Sequence, residues 1–139
     1  MEVFFYGLFM DRSILKKNGI HPTNSRKGYL KDYTLKIGDR ASLIPCKNER
    51  AYGIIMTVEK DALQKLYAEP SVADYIPEEV TILTVSDESI KATCYNLPLT
   101  ALTGTNKAYA NSLFELAERE GFPSSYLNKI RKMASSDIQ

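Results

Sequence analysis

The chain opens on a short apolar and aromatic run, Val3–Phe4–Phe5–Tyr6, closed by Gly7. A run of that length bounded by a turn residue predicts a buried strand over Glu2–Tyr6. Between Gly28 and Ile37 the apolar Tyr33, Leu35 and Ile37 alternate with Thr34 and Lys36, the period of a half-buried strand. Ala41–Ile44 and Ala51–Val58 predict two further strands, separated by the turn-like Lys47–Asn48–Glu49. Glu79–Val85 and Ile90–Leu97 predict the last two, joined by Ser86–Asp87–Glu88–Ser89. Helical spacing replaces alternation in four places. Asp11 can cap a short helix through Leu15–Lys17 that stops at Asn18–Gly19, and Ala62, Leu63 and Leu66 share one face of Glu59–Tyr67. Thr105 can cap a helix whose inner face is Ala110, Leu113, Phe114 and Ala117, ended by Gly121. Pro123 suits the first turn of a last helix, with Tyr126 or Leu127, Ile130, and Met133 or Ala134 inward.

About six strands with one inserted helix, then a helical end, do not alternate as a parallel α/β fold does. The order predicts an α+β class, a mostly antiparallel or mixed sheet curled toward a barrel with helices outside. One domain over residues 1–134 is expected, with residues 135–139 as a frayed tail.

Charge and composition then remove function classes. Eighteen basic and seventeen acidic residues leave a net charge of +1, so no single-sign field gathers nucleic acid or anionic lipid. The apolar runs fall far short of the roughly twenty residues of a membrane helix, and Met1–Glu2 offers no basic leader ahead of a long apolar stretch. The expected setting is the cytoplasm, with no nucleic-acid or membrane partner. Cys46 and Cys94 read as free, small core thiols, one disulfide remaining open. The single histidine, His21, lies in the turn-rich Asn18–Pro22 and reads as a solvent-facing loop residue. With it and two distant cysteines, neither a zinc site nor a histidine-based nucleophile is expected, and no metal or cofactor. The glycine-rich phosphate and dinucleotide loops are also missing. Proton chemistry would have to rest on a carboxylate, a tyrosine or a lysine.

Two segments carry more than structure. In Tyr6–Gly7–Leu8–Phe9–Met10 a buried strand runs through a glycine into a helix start. That leaves backbone N–H groups pointing outward, a recurrent anion-binding geometry, although most such turns bind nothing. In Leu66–Tyr67–Ala68–Glu69–Pro70, proline keeps Glu69 out of the helical region and just past a helix end. The negative end of the helix dipole disfavours a carboxylate there, which marks a candidate site. The other reading is an ordinary exposed glutamate that ends a helix. Glu78 and Glu79 read as a solvated strand edge, and Lys129, Arg131 and Lys132 as cations suited to a helix C-terminus.

Together the two segments resemble the γ-glutamylcyclotransferase-like family, which includes γ-glutamylamine cyclotransferases and the plant AIG2-like proteins. Members open with a strand leading into Tyr-Gly-Ser/Thr-Leu or a close variant, here Phe5–Tyr6–Gly7–Leu8–Phe9–Met10. A later Gly-x-hydrophobic strand, a short helix, a glutamate and then a tyrosine are matched by Tyr52–Val58, Ala62–Leu66, Glu69 and Tyr75. The similarity spans roughly residues 1–97, with weaker support from the helices after Thr105. The resemblance implies a small, mostly antiparallel β-barrel with flanking helices. It implies substrate binding by Tyr6, Gly7, Leu8 and Phe9, the loop amides facing an α-carboxylate, with Tyr75 shaping the pocket. It implies Glu69 as acid/base. The glutamyl α-amine would attack its own γ-carbonyl, closing 5-oxoproline and releasing an amine or amino acid, without metal or cofactor. The partner expected is a small γ-glutamyl substrate, with a homodimer left open. Leu8 stands where Ser or Thr is usual, Pro70 replaces a glycine, and the aspartate that often precedes the glutamate is missing. These departures leave the substrate open. A non-enzymatic module holding a small molecule or a peptide end in the same cavity is the alternative from another class. A structural dimerisation domain ranks behind it.

Overall fold

A computed structural model describes residues 1–134; the tail expected at 135–139 lies outside the described residues. The sheet is built from β1 (Glu2–Phe5), β2 (Thr23–Ile37), β3 (Ala41–Thr57), β4 (Ile76–Thr84) and β5 (Ser89–Asn96). They close into a barrel in the order β1-β3-β2-β4-β5. All neighbours are antiparallel except β1 and β5, which close the barrel in parallel at Val3↔Thr93. Four helices flank it: α1 (Arg12–Lys17), α2 (Lys60–Leu66), α3 (Lys107–Arg119) and α4 (Ser124–Ala134). The α+β barrel is as the sequence predicts.

The strand count is corrected from about six to five. Ala41–Ile44 and Ala51–Val58 belong to one continuous strand of 17 residues, β3. The turn signal at Lys47–Asn48–Glu49 marks an irregularity inside the β2–β3 hairpin. Pairing shifts register between Lys31 and Tyr33. Asp32 and Asn48 both take left-handed backbone angles there, φ 62° and 69°. The Asn48 N–H donates to Asp32 Oδ1 at 3.0 Å. A bulge keeps the strand running while bending it, so turn-forming residues do not interrupt the ladder.

The barrel is narrow where two glycines face each other, Gly28↔Gly53. A Cβ on Gly53 would come within 2.4 Å of the Phe5 carbonyl oxygen, and one on Gly28 within 2.7 Å of the Leu83 carbonyl oxygen. The missing side chains let β1 and β4 cross close to the hairpin. On the two faces of the barrel wall, Val3, Phe4, Leu43, Ile55, Met56, Ile82 and Cys94 are fully buried. Each large apolar side chain removed from water contributes about 1.5–3 kcal/mol. Cys94 is thus the core thiol expected, whereas Cys46 is only half-buried, and both are free.

The helices form close to their expected positions. The Asp11 side chain caps α1, accepting from the Ser13 N–H at 2.9 Å. For α3 the cap moves by one residue: Asn106, not Thr105, accepts from the Tyr109 N–H at 2.9 Å. Leu116 rather than Phe114 completes the buried face of α3, and Phe114 lies under the Arg131 guanidinium at 4.4 Å. Pro123 precedes α4 instead of lying in its first turn, its carbonyl accepting from Tyr126 and Leu127.

A buried polar latch ties the start of β3 to the end of β5. Asn96 Oδ1 accepts from the Leu43 N–H at 3.1 Å, and its amide donates to Glu78 Oε1 at 2.6 Å. Ser42 Oγ accepts from the Leu97 N–H at 2.9 Å. Buried polar groups cost stability unless paired in this way. The latch fixes Ala41, whose carbonyl serves the cavity described next.

Candidate ligand cavity

A cavity of about 360 Å³ opens at the end of β1. Its walls come from the Tyr6–Phe9 segment, Ile14 of α1, Asp39–Ala41 in the β2–β3 turn, the segment from Tyr67 to Tyr75, Tyr95 of β5 and Tyr109 of α3. Tyr6, Gly7, Leu8, Phe9 and Tyr75, all singled out in the sequence, line it together.

The loop wall follows from the strand that enters it. Tyr6 is buried, and its hydroxyl donates across the barrel to the Tyr95 carbonyl at 2.7 Å. Burial pushes that phenol well above the ordinary tyrosine range, so it stays protonated as a donor. After Gly7 the chain winds into a single 3₁₀ turn, Leu8–Met10, with the Met10 N–H returning to the Gly7 carbonyl at 3.0 Å. Its N-cap residue, Gly7, has no side chain to cap the turn, so its leading N–H groups look for partners elsewhere.

Gly7 is where α3 reaches the loop. A Cβ on Gly7 would lie 2.4 Å from the Tyr109 hydroxyl oxygen. The Leu8 N–H hydrogen-bonds to that hydroxyl, and burial outweighs this contact, raising the Tyr109 phenol above its ordinary value. Its oxygen accepts from the loop, and the residue lines the cavity. Sequence reading missed Tyr109. The signal available was its place on the first turn of α3 beside inward Ala110.

The opposite wall is the turn after α2. Tyr67 stacks on Tyr95, with ring centroids 3.8 Å apart and planes 7° from parallel, and meets Phe9 edge-on at 6.0 Å. Burial raises the Tyr67 phenol above its ordinary value. The Tyr75 hydroxyl donates to the Ala41 carbonyl at 2.6 Å, and burial pushes its phenol up to about 12. Arg40 fastens the turn from outside. It grips the Asp74 carboxylate with two bonds, at 2.5 and 2.8 Å, and donates to the Ser71 carbonyl at 3.3 Å. The hydrogen bonds from Arg40 hold the Asp74 carboxyl below the usual range. Arg40, Tyr67 and Tyr95 are cavity residues the sequence did not mark, because their meeting depends on barrel closure.

Glu69 is corrected. It was expected to share one pocket with the Gly7 loop, yet it is exposed and the cavity wall passes from Tyr67 to Ser71 without it. The cause is local. The chain continues in tight turns beyond α2, the Glu69 N–H reaching the Leu66 carbonyl at 3.4 Å and the Val72 N–H reaching the Glu69 carbonyl at 3.0 Å. Tyr67 turns inward, and the residues at the crest of the turn face solvent. Asp39 is the carboxylate that does line the cavity, at its rim. Its side chain packs on Gly104, where a Cβ would come within 2.4 Å of Oδ1. His21 is exposed and away from the lining, as the sequence predicts.

Known proteins place this architecture. A structure titled γ-glutamyl cyclotransferase superposes with a TM-score of 0.75 at 17% identity, over 94% of this chain and 86% of that one. YkqA from Bacillus subtilis superposes at 0.77 and 19%, over 98% of this chain and 54% of that one. A yeast γ-glutamyl cyclotransferase described as specific to glutathione superposes at 0.66 and 11%, over 98% and 96%. At these identities the likeness is one of fold. No curated protein matches in sequence. The family model for γ-glutamyl cyclotransferase, AIG2-like proteins matches residues 3–129, nearly the whole barrel, all of α3 and the first half of α4, and the chain therefore belongs to that family.

Proposed function

We propose that this protein binds a small γ-glutamyl compound in the cavity behind the Gly7–Leu8–Phe9 turn. The observation that carries the reading is the convergence of that turn with the Tyr109 hydroxyl at one end of the cavity. The Phe9 N–H of the turn and the protonated Tyr109 phenol are donors for the α-carboxylate of a glutamyl head. Hydrogen bonds to a charged group of this kind contribute about 1.5–3 kcal/mol each. The family supports the γ-glutamyl class of ligand. Titration calorimetry with a panel of γ-glutamyl amides and dipeptides tests it. Binding that disappears when the α-carboxylate is removed supports the reading, and binding indifferent to it refutes the reading.

A second reading keeps the chemistry of cyclisation, and the family match favours it. The bound α-amine attacks the γ-carbonyl, 5-oxoproline closes, and the amine or amino acid leaves. Glu69 would take the proton from the α-ammonium and return one to the leaving nitrogen. This requires the Tyr67–Tyr75 turn to bring Glu69 inward around a ligand. Release of 5-oxoproline by the unaltered protein, lost in Glu69→Gln, supports this reading. Tight binding without release returns the protein to the binding reading.

A further inference from the structure

Resting on the γ-glutamyl reading above, we propose that the group carried on the glutamyl side chain is an aromatic amine. Beyond the amides of the Gly7 turn, the cavity is lined by a set of rings. Phe9 meets Tyr67 edge-on at 6.0 Å and Tyr67 lies 6.2 Å from Tyr75 with planes 57° apart. Aromatic rings attract one another in such offset and edge-to-face arrangements at centroid separations of about 4.5–7 Å. Ile14 and Val72 complete an apolar surround.

Three polar side chains of this region, Tyr6, Tyr75 and Arg40, are already engaged. The Tyr6 and Tyr75 hydroxyls donate to the Tyr95 and Ala41 carbonyls, at 2.7 and 2.6 Å. Both therefore present ring rather than hydroxyl. Arg40 holds Asp74 with both terminal nitrogens. A free amino acid as leaving group would bring its own carboxylate, and a lysine side chain its ammonium. Either would give up water in return for rings and engaged partners. An aryl group gives up only the water around apolar surface.

The test compares four ligands on the unaltered protein by calorimetry: γ-glutamyl benzylamide, γ-glutamyl cyclohexylmethylamide, γ-glutamylglycine and ε-(γ-glutamyl)lysine. Expected is benzylamide binding about 10- to 100-fold tighter than γ-glutamylglycine, from the apolar area buried. It should exceed the cyclohexyl compound by about two- to tenfold, from ring geometry. Phe9→Leu should erase that second preference. Equal affinity for benzyl and cyclohexyl in the unaltered protein overturns the proposal, and so does a glycine or lysine conjugate binding as tightly as the benzylamide. N-benzylacetamide, which lacks the glutamyl head, separates the two readings. If it binds as tightly as γ-glutamyl benzylamide, the γ-glutamyl reading fails while the aromatic preference stands.

Discussion

The two walls of the cavity are built on different principles. The Gly7 wall is backbone held from within: a buried strand, a 3₁₀ turn, and the α3 tyrosine pressed against a glycine that has no room for a Cβ. The Tyr67–Tyr75 wall is a surface turn held from outside, by the Arg40–Asp74 ion pair and by Tyr75 bonded to Ala41. A backbone site tolerates the change of Ser or Thr to Leu8, because the N–H groups are unaffected by the side chain. A side-chain site on a turn does not tolerate a change of spacing, because one residue decides which way the carboxylate faces. Family resemblance therefore transfers to the first wall more securely than to the second.

Breaking the inner wall should have the largest effect. Gly7→Ala places a methyl group 2.4 Å from the Tyr109 oxygen and should cost about 1–3 kcal/mol in urea melts, as overpacking does. Tyr109→Phe alone should weaken carboxylate-dependent binding by about tenfold or more, as loss of a hydrogen bond to a charged group does. In the double variant the nearest ring atom is 3.8 Å from the new Cβ, an ordinary contact. Most of the alanine cost should then vanish, giving a coupling of about 0.5–3 kcal/mol in the cycle. Additive costs would mean that the two residues do not meet.

On the outer wall, Tyr75→Phe keeps the ring and removes its bond to Ala41. The expected loss is about 0.5–1.5 kcal/mol of stability, with binding of an aromatic conjugate changed less than threefold, since the ring remains. A larger loss of affinity would place the hydroxyl on the ligand. The ion pair gives a smaller, pH-dependent signal. Asp74 has its carboxyl lowered by the hydrogen bonds from Arg40. Its contribution is complete above the unfolded value of about 3.9 and fades as pH falls through the lower folded value. Carbon-13 titration should show the Asp74 carboxyl returning upward in Arg40→Ala. The melting temperature should change only slightly, because exposed pairs contribute little.

What could be read from the sequence divides along the same line. Local patterns located β1, the Asp11 cap of α1 and the Gly7 turn, since each depends on residues adjacent in the chain. Asn48 misled as a turn former because the bulge it makes with Asp32 requires both strands of the hairpin. Tyr109, Arg40 and Tyr95 were invisible as cavity residues because barrel closure brings them together from distant segments. Glu69 was legible as a carboxylate just past a helix end. Its direction was not, because that depends on how tightly the chain coils between Leu66 and Val72.

Glu69→Gln is the sharpest test and, on the binding reading, the one with the smallest effect. The side chain is exposed and outside the cavity wall. The exchange preserves shape and removes a charge from beside the C-terminal end of α2, where a carboxylate opposes the helix dipole. Melting should therefore hold or rise slightly, and affinity for γ-glutamyl ligands should change less than twofold, as for surface substitutions generally. On the cyclisation reading the same variant binds equally well but loses about 10²–10⁴ in 5-oxoproline release, the usual contribution of general acid–base help. The two readings agree on affinity and differ only in turnover, so one substitution measured both ways decides whether this wall holds the ligand or reacts with it.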